Sequence, residues 1–282
     1  MPAVSIPTAA ASRLELGKQL RHRLRILTVI AGSEFKLKYA GSVFGYAWSV
    51  VKPLALFTIL YLVFARVFKL GVISDYYAVS LLLGIVLFGF FADATSLGMT
   101  SLVARESLLR KLVFPRLVIP MAATVTAGLT FLVNTVVVAG FVAWERVTPR
   151  LDWLLVIPLL AELYCFTLGL ALILVTLFVR FRDMGQVWEL GVQLLFYASP
   201  IIYPVGFLPP FARDLAFLNP FTQVLQDIRA LVLYPDLPGN TITADEAFET
   251  FGRSIPLGVT ALTLLVGIVL FKREEPWVAE RV

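Results

Sequence analysis

The sequence predicts an all-α polytopic membrane protein with six transmembrane helices, an N-terminal amphipathic interfacial helix and extracytoplasmic re-entrant helices between spans 5 and 6. Composition is the first observation behind this prediction: 59% of the 282 residues are hydrophobic, only 15% are charged, and the mean hydropathy is +0.86. These values lie outside the usage of soluble globular domains. The second observation is that the apolar residues form stretches of about 20, the length that crosses a bilayer, with Lys and Arg collected between them.

The first element is the N-terminal segment 1–42, predicted to be a cytoplasmic tail that ends in an amphipathic helix. One face of that helix is apolar and contains Leu20, Leu24, Leu27 and Ala31, whereas Arg21 and Arg25 point away from it. A basic amphipathic helix of this kind lies along a membrane surface, where a simple lipid anchor is the alternative to a mechanical role. Residues 1–25 contain no apolar core of a secretory signal, so we expect the first span to act as its own insertion signal.

A single transmembrane domain is predicted over residues 43–271, followed by a cytoplasmic tail at 272–282. The six apolar stretches within it fall at 43–67, 79–99, 117–144, 153–179, 187–204 and 254–271. Of the 24 Lys and Arg residues, sixteen fall in the N-terminal tail, the second and fourth loops and the C-terminal tail. Because cationic loops stay on the cytoplasmic side, both termini are predicted to be cytoplasmic.

The fifth stretch runs into several prolines, which remove amide donors and clash with the preceding helical turn. The segment that follows is too broken to span a bilayer and too apolar to be a free loop, which favours a re-entrant or interfacial helical hairpin over an ordinary outer loop. The residues assigned to this outer hairpin are Pro200, Tyr203, Pro204, Pro209, Pro210, Phe211, Asn219 and Pro220.

The second loop is longer than a simple connection requires. Residues 104–116 predict about three helical turns that end at Pro115. Leu108, Leu109 and Leu112 lie on one side of this helix, and Arg110 and Lys111 lie on the other. A helix with such a face is suited to docking a partner, and the short turn at 180–183 is a second, weaker candidate.

Catalytic and metal-binding chemistry has little support in the sequence. The pair Gly17-Lys18 lacks the remaining residues of a phosphate-binding P-loop, so we expect no ATP hydrolysis by this chain. One cysteine, Cys165, and one histidine, His22, exclude an internal disulfide and a cysteine- or histidine-rich metal site. We therefore predict a protein that is not an enzyme and that holds no cofactor or metal.

Four ionisable residues fall within or at the ends of the predicted spans: Lys52, Asp93, Glu162 and Glu189. A charge in a bilayer marks a pathway or a pair unless it can reach the surface. Lys52 and Glu189 are close enough to the cytoplasmic ends to snorkel. For Asp93 and Glu162, which lie deeper, a structural role and a functional or pairing role remain open.

Several motifs resemble those of one family, the membrane subunits of ABC exporters for polysaccharides such as O-antigen, capsule, teichoic acid or mycobacterial galactan. The resemblance covers about residues 27–271. Near the first span it rests on Lys38-Tyr39-Ala40-Gly41-Ser42, Phe44-Gly45, Trp48 and Pro53-Leu54. Further landmarks follow in the family's order: Leu109-Arg110-Lys111, Phe114-Pro115-Arg116, Phe181-Arg182-Asp183, the run Ser199-Pro200-Ile201-Ile202-Tyr203-Pro204, and Asn219-Pro220-Phe221.

The resemblance implies a permease in the bacterial cytoplasmic membrane that forms a homodimer and binds two copies of a separate ATPase, with ATP and Mg on that partner. The implied substrate is a polyprenyl-diphosphate-linked glycan, and the other partners are membrane lipids but no nucleic acid. The implied ATPase-coupling residues are Arg105, Glu106, Leu108, Leu109, Arg110, Lys111, Leu112, Phe114, Arg180, Arg182 and Asp183. The implied substrate path and gate comprise Phe35, Lys36, Lys38, Tyr39, Phe44, Tyr46, Trp48 and Lys52.

Aromatic rings at the implied entrance are suited to stacking on sugars, and its lysines to pairing with a diphosphate. Interfacial anchoring and the positive-inside rule explain the same residues without a substrate. Three other functions remain as alternatives: an ABC permease for drugs or lipids, a homo-oligomeric channel, and a membrane enzyme acting on a polyprenyl-phosphate-linked glycan. For the enzyme, the nearest carboxylate pair is Asp214 with Asp227.

Overall fold

The computed structural model describes residues 21, 25–38, 45–73, 76–106, 115–235, 241–248 and 251–281. Within these ranges the chain forms helices and turns and contains no β-strand. The α-helices are α1 (25–38), α2 (Ala47–Tyr61), α3 (Leu70–Ile73), α4 (Tyr77–Thr100), α5 (Val118–Trp144), α6 (Val156–Arg180), α7 (Met184–Ala198), α8 (Pro210–Phe217), α9 (Pro220–Val232), α10 (Ala244–Ala247) and α11 (Ser254–Arg281). The predicted all-helical class is confirmed.

Five helical segments of the described chain are long and apolar enough to cross a membrane. They are Ala47–Val67, Tyr77–Thr100, Val118–Trp144, Leu151–Arg180 and Ser254–Trp277. The first combines α2 with the π-helical segment Leu62–Val67, and the fourth combines α6 with a preceding 3-10 turn. Five of the six predicted spans therefore coincide with such segments.

The predicted fifth span, 187–204, overlaps α7. The helix begins earlier, at Met184, and ends earlier, at Ala198. With 15 residues, α7 is about 22 Å long, which is shorter than a hydrocarbon core of about 30 Å. Ser199 and Pro204 have extended backbones. The helix ends here because Pro200 disfavours a helical conformation at the residue before it.

Two short helices follow this broken segment, and a proline stands at the first position of each, Pro210 in α8 and Pro220 in α9. Proline suits that position because its missing amide hydrogen would have no helical partner there. The Asn219 side chain caps α9 by accepting a hydrogen bond from the Phe221 amide at 3.1 Å. Two short helices therefore lie where the hairpin was predicted, and their re-entry into the membrane stays a prediction.

The core is organised around α4, which packs against α2, α5, α6 and α9. Most residues of α4 are buried, and its Phe88 and Phe91 contact Phe221 of α9, with ring centroids 5.3 and 5.9 Å apart. The remaining face of α6 is covered by α11. A Cβ on Gly169 of α6 would lie 2.6 Å from the Leu264 Cα, so these two helices touch backbone to backbone.

The N-terminal helix α1 has the predicted amphipathic character. Leu27 and Ala31 are buried, whereas Arg21 and Arg25 are exposed. Leu20 and Leu24 lie outside the described residues. At the opposite end of the chain, residues 272–281 of the predicted C-terminal tail continue α11 as helix rather than forming a separate segment.

Candidate functional site

A cavity of about 800 Å³ lies between α2, α4, α5 and α7, beside the end of α1. Its lining mixes apolar and polar groups. The charged residues are Lys38 from α1, Lys52 from α2 and Asp93 from α4, and the amides are Asn134 from α5 and Gln193 from α7. Cavities with an apolar wall and a few convergent polar groups are the usual form of small-molecule sites.

Aromatic rings form much of the cavity wall. They are Trp48, Phe88, Phe90, Phe131, Phe196 and Tyr197. Phe88 meets Phe196 edge to face at 5.2 Å, and Phe90 lies 5.3 Å from Phe131, so packing holds these rings in place. Trp48 and Tyr197 keep 41% and 65% of their surface exposed. Ring faces at such positions can stack on the apolar face of a sugar.

The polar groups of the cavity include one ion pair. Lys38 Nζ lies 2.9 Å from Asp93 Oδ2, with 32% and 46% of the two side chains exposed. Asn134 donates from Nδ2 to the Thr130 carbonyl at 3.1 Å, while its buried Oδ1 has no hydrogen-bond partner among the described residues. Of the two roles left open for Asp93, the structure supports a pairing role, with Lys38 as the partner.

Helix α1 is attached to the bundle just before its cavity end. Glu34 forms an ion pair with Arg105 and accepts a hydrogen bond from Thr126 Oγ1 at 3.0 Å. Phe35 stacks on Tyr46 at 5.3 Å, which links α1 to the start of α2. Thus α1 contacts the segment after α4, the helix α5 and the segment before α2.

The outer hairpin is held by a buried arginine. Arg229 of α9 is 4% exposed and donates to the carbonyls of Pro200 at 2.7 Å, Ile201 at 2.9 Å and Ser80 at 3.0 Å. Because Pro200 and Ile201 directly follow α7 and Ser80 lies in the first turn of α4, the guanidinium joins three elements. Burial lowers the pKa of Arg229 to about 10, which leaves it cationic at neutral pH.

A second polar cluster on α9 surrounds Asp227, which is fully buried. Gln223 donates to Asp227 Oδ2 at 2.7 Å, and Arg253 lies 3.0 Å from the same oxygen. Burial raises the pKa of Asp227, while the Gln223 hydrogen bond and the Arg253 charge oppose that shift. A carboxylate enclosed in this way has no open side for a substrate, which argues against Asp214 and Asp227 as a catalytic pair.

Comparison with known proteins agrees with this architecture. The family model described as ABC-2 type transporter matches residues 26–233, which include α1, the cavity helices and the outer hairpin. The chain belongs to the ABC-2 type transporter family. This membership confirms the resemblance of the sequence to ABC permeases and the prediction of a transport subunit rather than an enzyme.

Three curated relatives of this ABC-2 transporter are each named "O-antigen export system permease protein RfbA". Two are from Klebsiella pneumoniae, and each is 32% identical over 221 residues, covering 78% of this chain and 85% of the relative. The third is from Myxococcus xanthus and is 25% identical over 229 residues, covering 80% of this chain and 86% of the relative. The similarity thus extends over most of both chains.

The structure brings together only part of the predicted substrate path of the transporter. Lys38, Trp48 and Lys52 line the cavity, whereas Phe35 and Tyr46 stack on each other and Lys36 is exposed outside its lining. Tyr39 and Phe44 lie outside the described residues. Glu189 is exposed on α7 and Glu162 lies on α6, and neither lines the cavity.

The predicted ATPase-coupling residues are described in part. Arg105 ends a 3-10 turn after α4, where burial lowers its pKa, and Glu106 follows it. Arg180, Arg182 and Asp183 are exposed at the turn between α6 and α7, and the two guanidinium groups lie 5.3 and 5.4 Å from the rings of Phe181 and Phe178. The other six predicted residues lie outside the described residues: Leu108, Leu109, Arg110, Lys111, Leu112 and Phe114.

In the predicted outer hairpin, Pro200 is buried and its carbonyl accepts a hydrogen bond from Arg229, while Phe211 is 79% exposed. The Tyr203 hydroxyl donates to the Tyr197 carbonyl at 3.1 Å. Pro204 and Pro209 have extended backbones that separate α7 from α8. The hairpin residues therefore shape the end of the bundle at which α7 stops.

Sequence reasoning missed Arg229, Glu34, Asn134 and Gln193. For Arg229 a signal existed, since 220–229 carries several polar residues in a short segment with an Asn-Pro start, which is unusual for a helix that is buried on all sides. The others are single polar residues in apolar or amphipathic helices, and only the packing of distant helices shows that they line or support one cavity.

Proposed function

We propose that this ABC-2 transporter is the permease subunit of an exporter that moves a polyprenyl-diphosphate-linked polysaccharide across the bacterial cytoplasmic membrane, driven by a separate ATPase subunit. The observation that carries the proposal is the cavity between α2, α4, α5 and α7, where exposed ring faces lie beside Lys38 and Lys52. Rings suit a sugar chain of variable hydroxyl pattern, and the two ammonium groups suit a diphosphate.

The names of the relatives support the same substrate class. Each is named as a permease of an O-antigen export system. O-antigen is a polysaccharide, and we extend that class to this chain because the similarity covers 78% of this chain and 85% of the relative. The combination of aromatic rings, amides and lysines in one cavity fits a charged glycan better than an apolar drug or a lipid tail.

The assembly is proposed to be a homodimer with two copies of a nucleotide-binding ATPase subunit, which hold ATP and Mg. Helix α7 has no buried residue within one chain, and its Val187, Leu190 and Leu194 are more than half exposed. Ile59 and Leu62 of the first span are exposed as well. Since both helices flank the cavity, a second copy placed against them would enclose it.

We further propose six membrane crossings with both termini in the cytoplasm. In this topology α7 makes the fifth crossing together with the extended residues that follow it, and α8 and α9 form the re-entrant hairpin on the outer side. The distribution of Lys and Arg supports this orientation, because sixteen of 24 fall in segments assigned to the cytoplasm.

Export is proposed to begin when the closing ATPase dimer pushes on residues 105–114. Arg105 at the start of this segment is paired with Glu34 of α1, so a displacement there reaches the helix whose Lys38 lines the cavity. The stacking of Phe35 on Tyr46 passes the motion to α2 and widens the path between subunits.

The proposal is tested by expressing a tagged chain in its native host, extracting it in mild detergent and identifying co-purifying proteins by mass spectrometry. We expect a P-loop ATPase in stoichiometric amount. We also expect deletion of the gene to leave lipid-linked glycan on the cytoplasmic side of the membrane. A homogeneous oligomer without an ATPase, in cells that still export their glycan, would refute the proposal.

A variant pair then tests the coupling. Leu109→Glu should keep the protein folded and membrane-inserted but uncouple ATP hydrolysis from export. Leu151→Glu is the matched control, because Leu151 is 86% exposed in a turn assigned to the outer side and undergoes the same chemical change. Equal export by both variants would contradict a docking role for residues 105–114.

A further inference from the structure

The cavity contains its own counterion. Lys38 Nζ donates to Asp93 Oδ2 at 2.9 Å, and both residues line the cavity together with Lys52. The two partners are 55 positions apart in the sequence and come from α1 and α4, so the pair exists only when α1 is docked. While this ion pair is formed, Lys38 is occupied, and of the two cavity lysines Lys52 is the one that does not pair with Asp93.

The partial exposure of both side chains indicates that this pair can exchange. Asp93 lies within a candidate span, where an ionised carboxylate requires a cationic partner or water. The two side chains remain 32% and 46% exposed. Solvent-accessible ion pairs contribute little free energy, because water and competing ions screen them. A phosphate-bearing ligand that enters the cavity therefore meets a lysine that Asp93 holds only weakly.

We propose that Asp93 is a placeholder for the anionic headgroup of the ligand: it holds Lys38 in the empty cavity and is displaced when a lipid diphosphate binds. A diphosphate carries more negative charge than one carboxylate and offers several acceptor oxygens, so it competes effectively for Lys38 while Lys52 supplies a second cation. Asp93 thus holds the Lys38 side chain in place without ligand and sets the affinity for anionic headgroups. This inference rests on the proposed function and adds the regulation of its site.

The test is a double-mutant cycle on the purified full chain in an uncharged detergent, with farnesyl diphosphate as the probe and isothermal titration calorimetry as the readout. Asp93→Asn should bind the probe about two- to fivefold more tightly than the wild type, because the competing carboxylate is gone. Lys38→Met should bind it more weakly. The double variant should bind like Lys38→Met, because Asp93 acts only through Lys38.

Glu189→Gln is the matched control, since Glu189 is an exposed carboxylate on α7 outside the cavity lining. Its affinity for the probe should equal that of the wild type, which excludes a general effect of net charge. Thermal melting of each variant checks that the fold is kept, and Asp93→Ala replaces Asp93→Asn if the latter melts early.

Four outcomes are decisive. Tighter binding by Asp93→Asn that disappears in the Lys38→Met background supports the placeholder role. Unchanged or weaker binding by a folded Asp93→Asn variant overturns it, even if the wild type binds the probe and exports its glycan. Inorganic diphosphate that binds as tightly as farnesyl diphosphate overturns the assignment to a lipid headgroup. If the wild-type protein neither binds the probe nor exports glycan, the proposed function itself is refuted.

Discussion

Two regions of the molecule use charged residues in opposite ways. In α9, Arg229 is 4% exposed and donates to three backbone carbonyls on two separate segments. In the cavity, Lys38 pairs with Asp93, and both side chains are partly open to solvent. Each residue joins distant parts of the chain, but the burial of the two side chains differs. The difference in burial predicts that the contacts of Arg229 cost more free energy to break than the Lys38–Asp93 pair.

The backbone carbonyls that accept hydrogen bonds from Arg229 explain why this contact is costly to break. Prolines leave carbonyl groups near the end of α7 without helical donors, and in an apolar interior each such group requires another partner. The guanidinium supplies several donors in a fixed geometry, which one lysine cannot match. Tyr77 adds a hydrogen bond to the neighbouring Ile202 carbonyl at 2.8 Å. The break in α7 is therefore compensated by side chains of α4 and α9.

The largest effect is expected for Arg229→Met, which leaves the carbonyls of Pro200 and Ile201 without their donor and removes a further hydrogen bond to the Ser80 carbonyl. We expect a loss of at least about 3 kcal/mol in the free energy of unfolding, because each unsatisfied buried group costs about 1–3 kcal/mol. Thermal melting in detergent, followed by size-exclusion chromatography, measures the change. Arg273→Met is the control, since Arg273 is exposed on α11. Equal melting temperatures for the two variants would remove the distinction between the regions.

An intermediate effect is expected for Gly84→Ala in α4. A Cβ on Gly84 would lie 2.9 Å from Ile201 Cγ2 and 3.2 Å from Arg229 NH2, so the arginine and its turn must shift. Overpacking of this kind costs about 1–3 kcal/mol. On the same helix, a Cβ on Gly89 would meet no atom within 4 Å. Gly89→Ala should therefore melt at or above the wild-type temperature, and a lower melting point than that of Gly84→Ala would contradict the close contact.

The smallest effect on stability is expected in the cavity. Lys38→Met and Asp93→Asn each break the partly exposed pair, which should change the free energy of unfolding by less than about 1 kcal/mol. The same melting assay measures both variants, so the two regions can be compared directly. A loss as large as that of Arg229→Met would show that the pair fixes the fold and does not exchange.

Most of the fold could be predicted from the sequence, because lipid imposes length and composition on every spanning helix. Five of the six predicted spans coincide with long apolar helices of the described chain. The end of α7 was harder to place. The prolines predicted an irregular segment, but only the structure shows that the helix ends at Ala198.

The candidate site was predictable only in part, for a physical reason. Lys38, Trp48 and Lys52 were found through local motifs, and they do line the cavity. The other polar groups of the lining, Asp93, Asn134 and Gln193, come from three other helices. Which face of a spanning helix looks into a cavity depends on its rotation against its neighbours, and helices with apolar residues on all faces carry little periodic signal for that rotation.

The glycine contact between α6 and α11 has a consequence for how the chain matures in the membrane. A Cβ at Gly169 would lie 2.6 Å from the Leu264 Cα, so the groove on α6 is shaped for one particular neighbour. That neighbour, Ser254–Arg281, follows α6 by more than 70 residues. During synthesis α6 therefore enters the bilayer before its partner exists, and lipid or a chaperone must cover the groove. The bundle can reach its final packing only after α11 has left the ribosome.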